Sequence, residues 1–186
     1  VILMVSNSVK TAVVGLGTFG QIHARTYFQY EKTELVSICD LNKEKVASLS
    51  DELNCDYCLD SEEIALNDDI DVVSIATPDY AHLDVALSMV KAGKDGLIEK
   101  PLATTSEEAS KIVNEAKKNE VRLMTDFQNR WNPPFVAAKQ AIENGELGEP
   151  VMLSAELSNN IKVPLEHIEW SDNSGPEWFL FPHIID

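Results

Sequence analysis

Lys10-Thr11-Ala12-Val13-Val14-Gly15-Leu16-Gly17-Thr18-Phe19-Gly20 begins as a buried strand and ends in three glycines spaced Gly-x-Gly-x-x-Gly. Behind it, Ile22, Ala24 and Phe28 share the spacing of an amphipathic helix. The glycines permit a tight turn, let backbone approach a pyrophosphate and let the helix pack on the strand. The helix N-terminus adds unpaired N–H donors and the positive end of the helix dipole. Gly15, Gly17, Thr18, Phe19 and Gly20 are therefore candidate dinucleotide contacts. Because any strand-to-helix junction can carry a glycine-rich turn, the context carries the weight.

Outward from this turn the chain alternates short apolar runs with amphipathic stretches. Leu35-Val36-Ser37-Ile38-Cys39, Val72-Val73-Ser74-Ile75-Ala76, Gly96-Leu97-Ile98 and Val121-Arg122-Leu123-Met124 read as strands covered on both faces, as a parallel sheet requires. Helices are expected between them, from about 42 to 54 through Val46, Leu49 and Leu53, and from about 105 to 119 through Ala109, Ile112, Val113 and Ala116. Thr105 and Glu108 have capping-box spacing. The expected fold class is α/β, a doubly wound parallel sheet with its ligand at the carboxyl ends of the strands.

After Phe127 the rhythm changes. Asn132-Pro133-Pro134 interrupts the chain, a helix follows through Ala137, Ala138, Ala141 and Ile142, and Val151 to Leu157 alternates like a half-buried antiparallel strand. The expected organisation is an N-terminal tail (1–9), a dinucleotide-binding domain (10–127) and the start of a second α/β domain with an open, mostly antiparallel sheet (128–186).

The chain has 186 residues, 44% hydrophobic and 25% charged, within the range of globular domains. Thirty-one acidic against 15 basic residues give a net charge of −16, a field that repels nucleic acid and anionic lipid. No apolar run approaches the roughly 18 residues needed to cross a bilayer. Neither nucleic acid nor membrane is expected as a partner. Val1-Ile2-Leu3-Met4-Val5 is too short for a signal h-region and lacks a basic n-region, so it reads as residual sequence ahead of a start at Met4. With three cysteines, Cys39, Cys55 and Cys58, a reducing cytoplasm is the expected compartment. Cys55 and Cys58 have redox or half-zinc spacing; the alternative is ordinary cysteines on a short strand. Glu166, His167 and Glu169 could form a metal site on paper, but no metal is expected.

Several residues fall on the expected ligand edge. Asp40 ends the second strand, where a carboxylate can accept both ribose hydroxyls of an adenosine; its alternative role is as a helix cap. A 2′-phosphate would meet that like charge, offset in part by Lys43, so NAD is favoured over NADP. Thr77 and Pro78 could form the floor beneath the nicotinamide ribose, and His82 starts the following helix. Glu99 and Lys100 emerge from an apolar strand just before Pro101, which is costly unless they face a cleft or form a strand-end ion pair. His23 is expected to pack or reach solvent. Trp170, Trp178, Phe179 and Phe181 could stack on a ring or fill a core.

GLGTFG after the first strand, ATPDYAH after the fourth, EKPLA after the fifth, Arg130-Trp131-Asn132-Pro133 at the domain junction and His183-Ile184-Ile185-Asp186 together resemble the Gfo/Idh/MocA oxidoreductases, the sugar and inositol dehydrogenases and their relatives. The resemblance implies a nicotinamide cofactor between a Rossmann domain and an α/β domain that assembles homo-dimers or homo-tetramers. It implies cofactor contacts from Arg130 and Trp131 as well as from the residues above. Lys100 would hydrogen-bond the reacting hydroxyl of a sugar, cyclitol or related polyol, with its aim fixed by Pro101, often through a cis bond. His183 would take the hydroxyl proton; its alternative is a core histidine.

Two departures from the family pattern matter. Phe179 stands where many members carry an aspartate that orients the histidine; Asp186, three residues past His183, could orient it in a helix. The chain also stops where members of the family continue, and so reads as a fragment. The expected activity is hydride transfer between a secondary hydroxyl and NAD. The alternatives are glycoside cleavage by transient oxidation and a non-catalytic dinucleotide-sensing module.

Overall fold

Alternation of buried side chains on two faces dictates the architecture of the computed structural model, which describes residues 8–158, 160, 162, 163, 170 and 173–186. The chain divides into two compact units at Thr125/Asp126. In the first, strands β1 (Val9–Val14), β2 (Thr33–Cys39), β3 (Asp56–Cys58), β4 (Val72–Ile75), β5 (Asp95–Glu99) and β6 (Leu123–Asp126) form one sheet in the order β3-β2-β1-β4-β5-β6. The β1–β2, β1–β4, β2–β3 and β4–β5 pairs are parallel.

Along β1, Val13 packs to one side with Leu16, Ala24, Leu35, Ile38, Val46, Leu49 and Leu53. These belong to β2 and to helices α1 (Thr18–Gln29) and α2 (Lys43–Leu53), or to the turn before α1. Ala12 and Val14 point the other way, into a core with Val73, Ile75, Ile98, Ile64, Ala86, Met89 and Ile112. That face is covered by α3 (Ser61–Ala65), α4 (His82–Lys91) and α5 (Ser106–Lys118). Both faces of the sheet are thus buried, the condition that makes its strands read as continuous apolar runs. A register shift between Thr11 and Ala12 lets Leu35 and Ile38, three residues apart, share one face.

Local signals placed the helix ends. The Asn42 side chain accepts the Lys45 N–H at 3.0 Å to start α2, and Asn54 closes it at φ 48°. Thr105 accepts the Glu108 N–H at 3.2 Å, but the Glu108 carboxylate accepts from the Thr104 hydroxyl, so only half of the expected capping box forms.

The second unit carries a 3-10 turn over Gln128–Trp131 and helices α6 (Pro133–Glu143) and α7 (Pro176–Ile185). Pro133 and Pro134 open α6, where their missing N–H groups cost nothing. The strand expected over Val151 to Leu157 is not formed: residues 151–158 are irregular, and Val151, Met152 and Leu153 are 97%, 86% and 78% exposed. Alternation specifies which face a strand would bury, but a strand exists only with a partner, and no described residue pairs with this stretch. The backbone of Phe179 lies in α7, its side chain outside the description, and Glu166, His167 and Glu169 lie outside the described residues. Among the described residues no helix is long and apolar enough to cross a membrane.

Candidate cofactor and substrate site

Strand order reverses between β1 and β4, and the turns leaving these two strands meet at the carboxyl edge of the sheet. Gly15 has φ +88°, and a Cβ there would lie 2.6 Å from the Thr77 nitrogen and 2.7 Å from the Ala76 carbonyl oxygen. The Gly15 N–H donates to the Cys39 carbonyl at 2.8 Å, which ties the turn to β2. A Cβ on Gly20 would run into the Gly15 carbonyl, so this glycine lets α1 settle on the turn. Gly17 has nothing within 4 Å of its virtual Cβ and caps α1 without any side-chain acceptor. No acidic residue occupies the first turn of α1. The leading N–H groups, from exposed Thr18 and Phe19 among others, are left for an anion.

Asp40 follows β2. One carboxylate oxygen accepts the Leu16 N–H at 2.7 Å and the other accepts the Asn42 N–H at 2.8 Å. The ribose and capping readings of this residue are therefore not exclusive, because each oxygen keeps a lone pair beyond the bond it makes. Thr77, half-buried after β4, has a side-chain hydroxyl shut from solvent and without a hydrogen-bond partner among the described residues. Pro78 caps the 3-10 turn Asp79–Ala81 that leads into α4.

His82, expected among the cofactor contacts, is turned inward. Its ring is 1% exposed, with Nδ1 at 2.7 Å from the Pro101 carbonyl oxygen and Nε2 at 3.0 Å from the Thr77 carbonyl oxygen. Both ring nitrogens lie against backbone carbonyls, so the imidazole joins two turns. The spacing of ATPDYAH placed it correctly at the helix start, but not the direction of its ring.

At the end of β5, Glu99 is 6% and Lys100 8% exposed, and the Lys100–Pro101 peptide is cis. Glu99 Oε2 accepts the Lys100 N–H at 3.1 Å, while Glu99 Oε1 lies 3.4 Å from His23 Nε2. Burial lowers the pKa of Lys100, and the carboxylates of Glu99 and Asp79 oppose that shift. His23 faces the sheet, its Nδ1 at 2.6 Å from the Ser74 hydroxyl. Sequence reading missed this Ser74–His23–Glu99 chain. A serine inside the apolar run of β4 and a buried glutamate needing partners were its signals.

The remaining expected site residues are in the second unit. Trp131 is 70% exposed. The Arg130 guanidinium binds the Asp186 carboxylate through Nε at 2.8 Å and through Nη2, and lies 5.0 Å from the centroid of the Phe127 ring. Asp186 is therefore engaged by Arg130. The half-buried His183 lies on α7, other residues of which, Glu177, Trp178, Phe181, Pro182 and Ile185, line a hollow of about 550 Å³ together with Phe127 and Asp186.

Among the cysteines, the hydrogen bond between Cys39 and Cys58 lowers the pKa of Cys58 and raises that of Cys39. Cys39 and Cys58 are buried and in register on β2 and β3, and burial pushes the Cys55 thiol up to about 11.

A turn built from Gly15 and Gly20, an uncapped helix start and a carboxylate after β2 are the parts of a dinucleotide cradle. The sequence profile of the oxidoreductase family with the NAD-binding Rossmann fold, GFO_IDH_MocA, matches residues 9–127. The chain belongs to this family. Among its relatives, the myo-inositol 2-dehydrogenase of Thermotoga maritima is 28% identical over 163 residues, covering 87% of this chain and 49% of that protein. The inositol 2-dehydrogenase of Agrobacterium fabrum is 31% identical over 165 residues, covering 87% and 48%. The chain spans about half the length of the curated relatives it matches. Among solved structures, the scyllo-inositol dehydrogenase of Lactobacillus casei with bound NAD(H) and scyllo-inositol superposes with a TM-score of 0.73 at 25% identity, covering 76% of this chain and 43% of that one. A probable dehydrogenase from Thermotoga maritima gives 0.73 at 28% identity, covering 76% and 43%.

The family's cofactor fits these residues. Open space at Gly17, the free N–H groups of the first α1 turn and the orphaned Thr77 hydroxyl are features that a bound diphosphate and ribose would satisfy.

Proposed function

We propose that the protein is an NAD-dependent dehydrogenase acting on a secondary hydroxyl of a cyclitol or related polyol. The observation that carries this reading is Lys100, a buried amine at the carboxyl edge of the sheet, beside Glu99 and Asp79. A buried lysine is costly unless its charge is used or paired, and perturbed groups of this kind concentrate at reaction centres. The similarity to inositol dehydrogenases supports the choice of a cyclitol.

Gly15, Gly17, Thr18, Phe19 and Gly20 would hold the diphosphate, Asp40 the adenosine ribose, and Thr77 and Pro78 the nicotinamide ribose. Bound NAD supplies the hydride acceptor. Lys100 Nζ, as an ammonium, donates to the reacting oxygen and favours its alkoxide character. The imidazole of His183 takes the hydroxyl proton, a task suited to a side chain that can accept and return one. The proposed whole protein works in the cytoplasm as a homo-oligomer.

The test is reduction of NAD across a panel of inositol isomers and sugar alcohols, with Lys100→Met alongside. Turnover with a cyclitol, abolished by Lys100→Met while NAD still binds, is the expected result. Wild-type protein that binds NAD and reduces it with no member of the panel would sink the proposal.

A further inference from the structure

The turn carrying Lys100 is held on both sides by largely buried side chains. Ahead of it, Glu99 accepts the Lys100 N–H at 3.1 Å and is braced by His23. Behind it, His82 reaches the Pro101 carbonyl at 2.7 Å, and the far side of the same ring reaches the Thr77 carbonyl at 3.0 Å. One imidazole therefore spans from the turn after β4 to the turn after β5. The first of these turns abuts Gly15, and the second carries the proposed catalytic amine.

The chemistry of this bridge is unusual. Both partners are carbonyl oxygens, which only accept, whereas a neutral imidazole has one N–H. Holding both carbonyls at once therefore takes the imidazolium, which donates from Nδ1 to Pro101 and from Nε2 to Thr77. Burial lowers the pKa of His82, and the two carbonyls and the carboxylates of Asp79 and Glu99 push it back up. A histidine that served packing alone would need no such pair of acceptors, and an apolar ring in its place would leave both carbonyls short of a donor.

Resting on the dehydrogenase reading, we infer that His82 is a positioning residue: its ring ties the Pro101 carbonyl to the Thr77 carbonyl and so sets the aim of Lys100 at the reacting oxygen. Its two arms have separable consequences. The Nδ1 arm fixes the chain one residue past Lys100 and bears on the chemical step. The Nε2 arm fixes Thr77 and bears on cofactor affinity.

Two one-armed variants test this. His82→Asn keeps a donor near the Nδ1 position, and His82→Gln keeps one near Nε2. Expected for His82→Gln is a fall in kcat of about 100-fold, the cost of misplacing a reacting group by about an ångström, with the Kd for NAD little changed. His82→Asn should weaken NAD binding several-fold and keep kcat within about tenfold of wild type. Equal losses of kcat and affinity in both variants, or no change in either, would overturn the inference.

Two further measurements do not depend on turnover. In wild-type protein, nitrogen-resolved NMR should show an Nδ1–H of His82 protected from exchange; rapid exchange there overturns the inference even if the variants do not fold. With lysine labelled at Nζ, the Lys100 titration should shift in His82→Gln and stay in place in His82→Asn, and a shift common to both also overturns it. If wild-type protein reduces NAD with no cyclitol, the dehydrogenase reading falls, while these NMR results still decide whether His82 holds Lys100.

Discussion

The Asp40 carboxylate accepts the Leu16 N–H at 2.7 Å, so the residue proposed to bind the adenosine ribose also fastens the glycine-rich turn across the end of β2. Its other oxygen holds the Asn42 N–H at the start of α2. Recognition of the sugar and the shape of the diphosphate cradle therefore depend on one side chain. Asp40→Ala is expected to lower the melting temperature and to weaken NAD binding by at least about tenfold, or roughly 1.4 kcal/mol. The preference for NAD over NADP should shrink as the like charge disappears. Calorimetry with both nucleotides and a thermal melt check this; a variant with lower NAD affinity and an unchanged melt would separate the two roles.

At Gly15 the backbone has φ +88° and Thr77 leaves no room for a Cβ. Gly15→Ala should cost roughly 2–5 kcal/mol, combining left-handed strain with overpacking against backbone that cannot move aside. By contrast, Gly17→Ala meets nothing within 4 Å and should fold normally. Urea denaturation of the two variants gives the comparison, and equal midpoints would contradict it.

Lys94 illustrates a buried charge with a structural task. It is 6% exposed, and its Nζ donates to the Asn67 carbonyl at 2.6 Å and the Ile70 carbonyl at 2.9 Å, which pins the loop before β4 to the start of β5. Lys94→Met leaves both carbonyls short of a donor and should destabilise the fold by about 2–3 kcal/mol while leaving NAD affinity unchanged in the folded fraction. Denaturant titration and calorimetry together read this out.

For Asp186, the hydrogen bonds from Arg130 hold the carboxyl below the usual aspartate range, against the opposing effect of burial. Because the folded pKa lies below the unfolded one, the stability that this pair contributes is present above the unfolded value. It is lost as the pH falls through the folded value. Wild-type protein should therefore lose stability on acidification below the ordinary aspartate range, and Asp186→Asn should show a flatter profile there. Thermal melts across that range test it.

Lys100 should show itself in the alkaline limb of the rate profile. Burial lowers its pKa from the ordinary lysine value, against the pull of Glu99 and Asp79, so the ammonium is lost at a lower pH than for an exposed lysine. The limb should fall below pH 10.5 and should vanish in any Lys100→Arg variant that retains activity. A limb at the position of an exposed amine would contradict the burial argument.

The sheet, its covering helices and the glycine-rich turn were legible in the linear chain because they rest on local signals. Apolar runs reveal strands buried on both faces, Asn42 and Thr105 mark helix starts, and only glycine fits positions such as Gly15. Periodicity failed at Val151 to Leu157, where a strand pattern had no partner among the described residues. Side-chain direction was also beyond it. That His82 would turn inward onto two carbonyls, that His23 would join Ser74 to Glu99, and that Asp40 would serve Leu16 and Asn42 together are consequences of which strands become neighbours. Those contacts link residues up to 76 positions apart, from His23 to Glu99. Sequence determined the fold and the identity of the candidate chemical groups. Tertiary structure decided their partners, because hydrogen bonding of a buried polar group is settled only when the sheet brings distant turns to one edge.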